Sequence, residues 1–153
     1  MCPAAGGQAS PRRVAMDCLA RREHSVAELR RKLAGKDFTP EEIDAALARL
    51  QQDGLVSDAR FTEAFVNSRH RRGQGPAKVR AELQQRGVAG ELITAVLASV
   101  DWQGAAHAAR EKKFGPEIPD NFAAKARQAR FLQARGFTAE QISTALAGGW
   151  EQD

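Results

Sequence analysis

Tyrosine is absent from this chain, aromatic residues make up only 6%, and there are two cysteines, Cys2 and Cys18. The cysteines form no CxxC pair, which excludes a disulfide scaffold and a thiolate metal centre. A reducing, cytoplasmic compartment is the expectation. The histidines His24, His70 and His107 are dispersed. HExxH, GxxxxGK[ST], GxSxG and GxGxxG are all missing, so a zinc hydrolase, a P-loop enzyme, a serine hydrolase or a dinucleotide enzyme is not expected. Neither a cofactor nor catalytic turnover is expected. No stretch approaches the roughly 20 uncharged apolar residues of a spanning helix. Met1 to Pro11 lacks an apolar core and reads as a loose tail rather than a secretory leader.

What is present points to helices. Alanine is abundant and no convincing period-2 run occurs, a composition that favours helix over strand. Ser25–Val–Ala–Glu28, Thr39–Pro–Glu–Glu42 and Thr138–Ala–Glu–Gln141 are capping boxes, and Asp58 and Asp101 are further cap candidates. Gly35, Gly54, Gly73, Gly87, Gly115 and Gly136 follow apolar-periodic runs as left-handed stops. These marks predict nine helices, near 12–23, 25–35, 39–53, 58–72, 76–86, 89–100, 102–114, 120–135 and 138–148.

The chain also resembles itself. Leu29, Leu33, Phe38, Ile43, Leu47 and Leu50 fall on Val79, Leu83, Val88, Ile93, Leu97 and Val100 at a constant offset of 50. A third copy lies 49 further on, with Leu132, Phe137, Ile142 and Leu146 continuing the series and Arg135–Gly136 repeating Arg86–Gly87. A period of this size predicts stacked supersecondary units. The expected fold is all-α: three tandem three-helix repeats forming an elongated, curved array. Residues 1–11 are a tail, and 12–57, 58–100 and 101–149 are the repeats.

Net charge is +4, and it is segregated. Residues 12–36 carry eight basic and three acidic groups, 37–58 one and six, 59–87 seven and two. Residues 88–101 carry no basic and two acidic groups, 102–136 seven and three, and the remainder none and three. The first two helices of each unit are therefore basic and the third acidic. Stacked units would align these charges in stripes, and a basic stripe suits a phosphate backbone or an acidic protein surface. Individually, such charges also serve as ordinary solvated helix surface.

Within the second unit, the phrase from Phe61 to Gly87, FTEAFVNSRHRRGQGPAKVRAELQQRG, resembles the central signature of the RecX family. Ala27–Glu28–Leu29–Arg30–Arg31–Lys32–Leu33 resembles its first-unit phrase, and Arg130–Phe131–Leu132–Gln–Ala–Arg135–Gly136–Phe137 its third. The resemblance runs from about Val14 to Leu146. It implies a regulator of the RecA-type recombinase in recombination, DNA repair and the SOS response. Such a protein binds the recombinase filament on single-stranded DNA and lowers its ATPase, growth and strand exchange, without chemistry of its own. A monomer with weak single-stranded DNA contact and no membrane association is expected. The alternative from the residues alone is a direct nucleic-acid binder with helix-turn-helix-like units, although an acidic third helix is wrong for reading a groove.

The candidate contact residues are Arg69, Arg71, Arg72, Lys78, Arg80 and Arg86 in the second unit. Arg30, Arg31 and Lys32 are their first-unit counterparts, and Arg127, Arg130 and Arg135 lie in the third. Arginine forms planar bidentate contacts with phosphate or carboxylate, although cations at a helix C-terminus also answer the macrodipole. Gly75–Pro76 opens a helix whose N–H groups are candidates for holding an anion. Phe61, Ala64, Phe65 and Ser68 form the expected apolar face of their helix, and Phe131 and Phe137 are read as core. Cys18 reads as a small core residue, Trp102 as a staple between units, and Trp150 as a possible contact.

Overall fold

The computed structural model describes residues 10–147. The expectations for residues 1–9 of the tail, for Trp150 and for the last residues of the third repeat lie outside the described residues. Among the described residues there are nine helices and no strand: α1 Pro11–Arg21, α2 Val26–Ala34, α3 Pro40–Gln52, α4 Asp58–Arg71, α5 Pro76–Gln85, α6 Gly90–Leu97, α7 Trp102–Phe114, α8 Phe122–Arg135 and α9 Ala139–Ala147. None of them is long and apolar enough to cross a membrane.

The helix starts follow the side-chain chemistry. Ser25 and Thr39 close reciprocal capping boxes with Glu28 and Glu42, and the Thr138 and Gln141 side chains exchange the same pair of bonds. Asp101 accepts from the Gly104 N–H. Two starts differ from the sequence reading. Ser10 caps α1, so that helix takes in Pro11. Ser57 rather than Asp58 caps α4, and the Asp58 carboxylate instead accepts the Val26 N–H at 2.8 Å, capping α2 of the preceding unit.

The helix ends show why the repeat is imperfect. After α5 and α8, Gly87 and Gly136 turn left-handed, and the N–H groups of Val88 and Phe137 reach back to the carbonyls of Leu83 and Leu132. The first-unit position equivalent to Gly87 is Asp37, and Gly35 is right-handed at φ −77° rather than a left-handed stop. Without a glycine in register, α2 closes instead through a tight Phe38 N–H to Lys36 carbonyl turn.

Each group of three helices surrounds its own core. Leu29, Leu33, Ile43, Leu47 and Leu50 centre the first, Val79, Leu83, Ile93 and Leu97 the second, and Ala106, Leu132, Phe137 and Ala145 the third. Full burial of such a side chain is worth about 1.5–3 kcal/mol. On α4 the buried stripe is Phe61, Thr62 and Val66, with Ala64 exposed, because the Thr62 hydroxyl is satisfied by the Asp58 carbonyl and can enter the core. Cys18 is half-buried against the first core. Trp102 opens α7 but packs into the second core, its indole N–H donating to the Leu97 carbonyl.

The units are coupled in series by one joint used twice. At the first, the Ser25 hydroxyl donates to the Arg86 carbonyl at 2.7 Å and Arg31 donates to the Gln85 carbonyl at 2.7 Å. At the second, the Gly75 N–H donates to the Arg135 carbonyl at 2.7 Å and the Ala77 N–H to the Gly136 carbonyl at 2.9 Å. Ser25 and Gly75 are equivalent by the repeat, as are Arg86 and Arg135. The C-terminus of each unit's middle helix thus seats on the N-terminus of the preceding unit's middle helix, a head-to-tail contact favourable to both dipoles.

Candidate partner-binding site

A cleft of about 890 Å³ opens between the second and third units, where the C-terminal end of α4 faces α7 and α8. Its walls carry Arg71 and Arg72 from α4 and its C-cap, Lys112 and Lys113 from α7, and Arg135 from α8. Two acids share the lining, and both are engaged: Asp101 caps α7, and Glu111 lies 3.9 Å from the Arg110 guanidinium. The α7 wall is made of Gly104, Ala105, Ala108 and Ala109, whose small side chains leave the space open. Phe131 completes the lining with a half-buried ring.

The twelve basic residues singled out in the sequence fall into distinct settings. Arg71 and Arg72 are exposed and have no acidic partner among the described residues. Arg130 is likewise exposed, and Arg127 lies 5.9 Å from the Phe114 centroid. Arg69 pairs with Glu82 at 3.2 Å and lies over the Phe65 ring at 4.5 Å. Arg86 covers the same ring at 4.7 Å and approaches Glu28 across the first joint at 3.8 Å. Arg30 pairs with Asp44, Arg80 bonds Thr94, and Lys32 contacts the His24 ring. Arg31 and Lys78 sit at the two joints, Lys78 with its stem against Gly136. Arg135 donates to the Arg72 carbonyl and lies 5.1 Å from the Phe131 centroid.

Only Arg71, Arg72 and Arg135 of the twelve line the cleft. The Lys112–Lys113 pair there belongs to the basic segment 102–136 but is not among the twelve residues singled out in the sequence. The Gly75–Pro76 helix start meets the end of α8 in the position the sequence offers to an anion. Its Gly75 and Ala77 N–H groups are taken by the carbonyls of Arg135 and Gly136. Phe61 and Phe137 are core, whereas Phe65 and Phe131 are half-buried platforms beneath guanidinium groups. His70 stacks edge-on against Trp102, with centroids 5.4 Å apart.

Arg110, one turn behind the cleft, is 1% exposed. Its guanidinium donates to the carbonyls of Gly115 and Glu117, tying down the loop between α7 and α8. The signal for it is faint: Arg110 occupies a core register position four residues after Ala106 and just before a segment interrupted by Pro116 and Pro119. His107 beside it is buried, and burial followed by the Arg110 charge lowers its pKa, which keeps the ring neutral. Among the described residues, no group of three His, Cys, Asp or Glu is placed to hold a metal ion.

Three cores in series, one repeated joint and a basic cleft between neighbours define a helical-repeat protein. Family models for the first, second and third three-helix domains of RecX match residues 12–50, 57–97 and 101–146. The chain belongs to the RecX family of regulatory proteins. It is 44% identical to "Regulatory protein RecX" of Halorhodospira halophila, across 100% of this chain and 96% of that one. Identity to the protein of the same name from Pseudomonas savastanoi pv. phaseolicola is 45%, with 90% of each chain covered. The crystal structure of RecX from Lactobacillus salivarius superposes with a TM-score of 0.78 at 17% identity, covering 90% of this chain and 92% of that one, a likeness of fold.

Proposed function

We propose that this protein docks on the RecA-type recombinase filament formed on single-stranded DNA and inhibits its ATPase, its growth and its strand exchange, modulating recombination and DNA repair. It acts as a cytoplasmic monomer and performs no chemistry. The observation that carries this reading is the convergence of exposed Arg71 and Arg72, without an acidic partner among the described residues, with Lys112, Lys113 and Arg135 on one cleft. Cations gathered at a hydrogen-bonded joint between helices suit a partner whose acidic groups repeat at fixed spacing. Family membership supplies the regulatory role, and the resemblance to other members supplies the recombinase as partner.

The joints weigh against independent groove reading. A helix-turn-helix protein contacts base edges with the N-terminal residues of its second helix. In the first and second units the following unit bonds to those helix starts, through the Ser25 hydroxyl and through the Gly75 and Ala77 N–H groups.

The test is co-sedimentation with recombinase filaments assembled on single-stranded DNA, comparing the unmodified chain with the Arg71→Glu/Arg72→Glu double variant. Both positions are exposed, so the variant is expected to fold, to melt within a few degrees of the parent and to lose most filament binding. Unchanged filament binding by the folded variant contradicts the assigned surface.

A further inference from the structure

The cleft contains more than charge. Phe131 presents a half-buried ring, with the Arg135 guanidinium 5.1 Å and the Lys113 ammonium 5.9 Å from its centroid. Phe114 meets the same ring edge-on, with centroids 5.4 Å apart and planes at 89°, which fixes its orientation. Arg135 also donates to the Arg72 carbonyl at 3.3 Å. An oriented ring and a planar guanidinium beside it form a tier on which a flat aromatic ligand stacks. Around that tier stand Arg71, Arg72 and Lys112, cations without an acidic partner among the described residues and suited to phosphate oxygens.

We infer that the cleft between the second and third units is a binding site for a short segment of single-stranded nucleic acid. One base stacks on the Phe131–Arg135 tier, and the flanking phosphates lie against Arg71, Arg72 and Lys112. A volume of about 890 Å³ accommodates more than one nucleotide, within the usual range of ligand sites, roughly 300–1,000 Å³. The combination of an aromatic platform and a cationic rim is the general solution for single strands without sequence preference. An acidic peptide would use the rim but has no use for the tier. A duplex would use the rim but keeps its bases stacked on one another. The inference deepens the proposed function and rests on it for the identity of the strand, namely the DNA of the filament.

The experiment uses the full chain and two fluorescein-labelled 12-nucleotide probes, oligo(dT) and an abasic backbone of the same charge, read by fluorescence anisotropy at low salt. Oligo(dT) is expected to bind about tenfold more tightly than the abasic strand, the usual scale for one base stacked on an aromatic group. Phe131→Leu, which keeps an apolar side chain against Phe114, is expected to bring oligo(dT) down to the abasic level. Lys112→Gln, on an exposed position, is expected to retain the preference for bases while reducing the salt slope by about 0.7, the value for one single-strand phosphate contact. Equal binding of the two probes by the unmodified chain overturns the inference. So does an undiminished base preference in Phe131→Leu, or displacement of oligo(dT) by a poly-glutamate peptide of equal charge at equal concentration. Recombinase ATPase measured in parallel separates the two readings. Inhibition without base preference removes the cleft assignment and leaves the regulator, whereas base preference without inhibition removes the regulator and leaves the cleft.

Discussion

Gly75 and Gly136 meet backbone to backbone: a Cβ on Gly75 would lie 2.4 Å from the Gly136 carbonyl carbon and 2.5 Å from the Phe137 nitrogen. This approach lets the Gly75 and Ala77 N–H groups reach the α8 carbonyls and sets the angle between the second and third units. Because the cleft lies between these units, the same glycine pair positions its cations.

Gly75→Ala is therefore expected to cost about 1–3 kcal/mol, the usual penalty for forcing atoms into filled space. Gly90→Ala is the control, since nothing lies within 4 Å of its added Cβ and it opens α6. That change is expected to be neutral or to stabilise by up to about 1 kcal/mol through the unfolded chain. Urea denaturation of the two variants checks the contrast.

Ser25 performs two tasks where Thr39 performs one. The Ser25 oxygen accepts the Glu28 N–H at 3.0 Å and its hydroxyl donates to the Arg86 carbonyl at 2.7 Å, whereas Thr39 only caps α3. Loss of a cap costs about 1 kcal/mol, and a buried hydrogen bond adds about 1 kcal/mol. Ser25→Ala is expected to destabilise by roughly twice as much as Thr39→Ala, as read from denaturation midpoints at equal slope.

The first joint is sensitive to acid. Burial lowers the His24 pKa, aided by the Arg22 and Lys32 charges, and holds the ring neutral between the Arg22 carbonyl and Lys32. For Glu28, burial pushes the carboxyl up, but the Arg22 guanidinium and the Ser25 N–H outweigh it and leave the pKa below its ordinary value. In both cases the unfolded chain binds protons more readily than the folded one, so stability is complete above the unfolded-state pKa and is lost as pH falls toward the folded-state value. The melting temperature is expected to fall as pH drops below the ordinary histidine value of 6.5, through the lowered His24 pKa, and again below the ordinary carboxyl value of 4.5, through that of Glu28. His107, its pKa lowered in the same direction, adds to the first decline, so His24→Gln is expected to reduce it rather than abolish it, and thermal melts across this range check it.

Arg110 anchors the loop between α7 and α8 through the Gly115 and Glu117 carbonyls. Hydrogen bonds from a charged donor are worth about 1.5–3 kcal/mol, offset in part by relief from burying the charge. Arg110→Met is expected to leave the helices intact and to speed amide hydrogen exchange in residues 115–121. Unchanged exchange there removes the anchoring role.

The apolar register of the repeat is written into Leu33, Leu83 and Leu132, because packing within a unit depends on residues close in sequence. The capping boxes at Ser25, Thr39 and Thr138 are legible for the same reason. The joints are not, since whether the Gly75 N–H meets an anion or the Arg135 carbonyl depends on how whole units dock. The same dependence brings Arg86, which looks like a contact residue, toward Glu28 across the first joint, whereas Arg69 and Arg86 over Phe65 and the Arg69–Glu82 pair reflect folding within the second unit. Conversely, Lys112 and Lys113 become conspicuous only when α7 is placed opposite Arg71 and Arg72.

The central claim is that this chain acts on the recombinase filament. Its most direct test is the single-stranded-DNA-dependent ATPase of the cognate recombinase, with this protein titrated at sub-stoichiometric ratios. The account predicts strong inhibition well below one protein per recombinase subunit, together with weak binding to DNA alone at physiological salt. An ATPase rate that stays constant through equimolar protein, alongside tight binding to DNA alone, would contradict it.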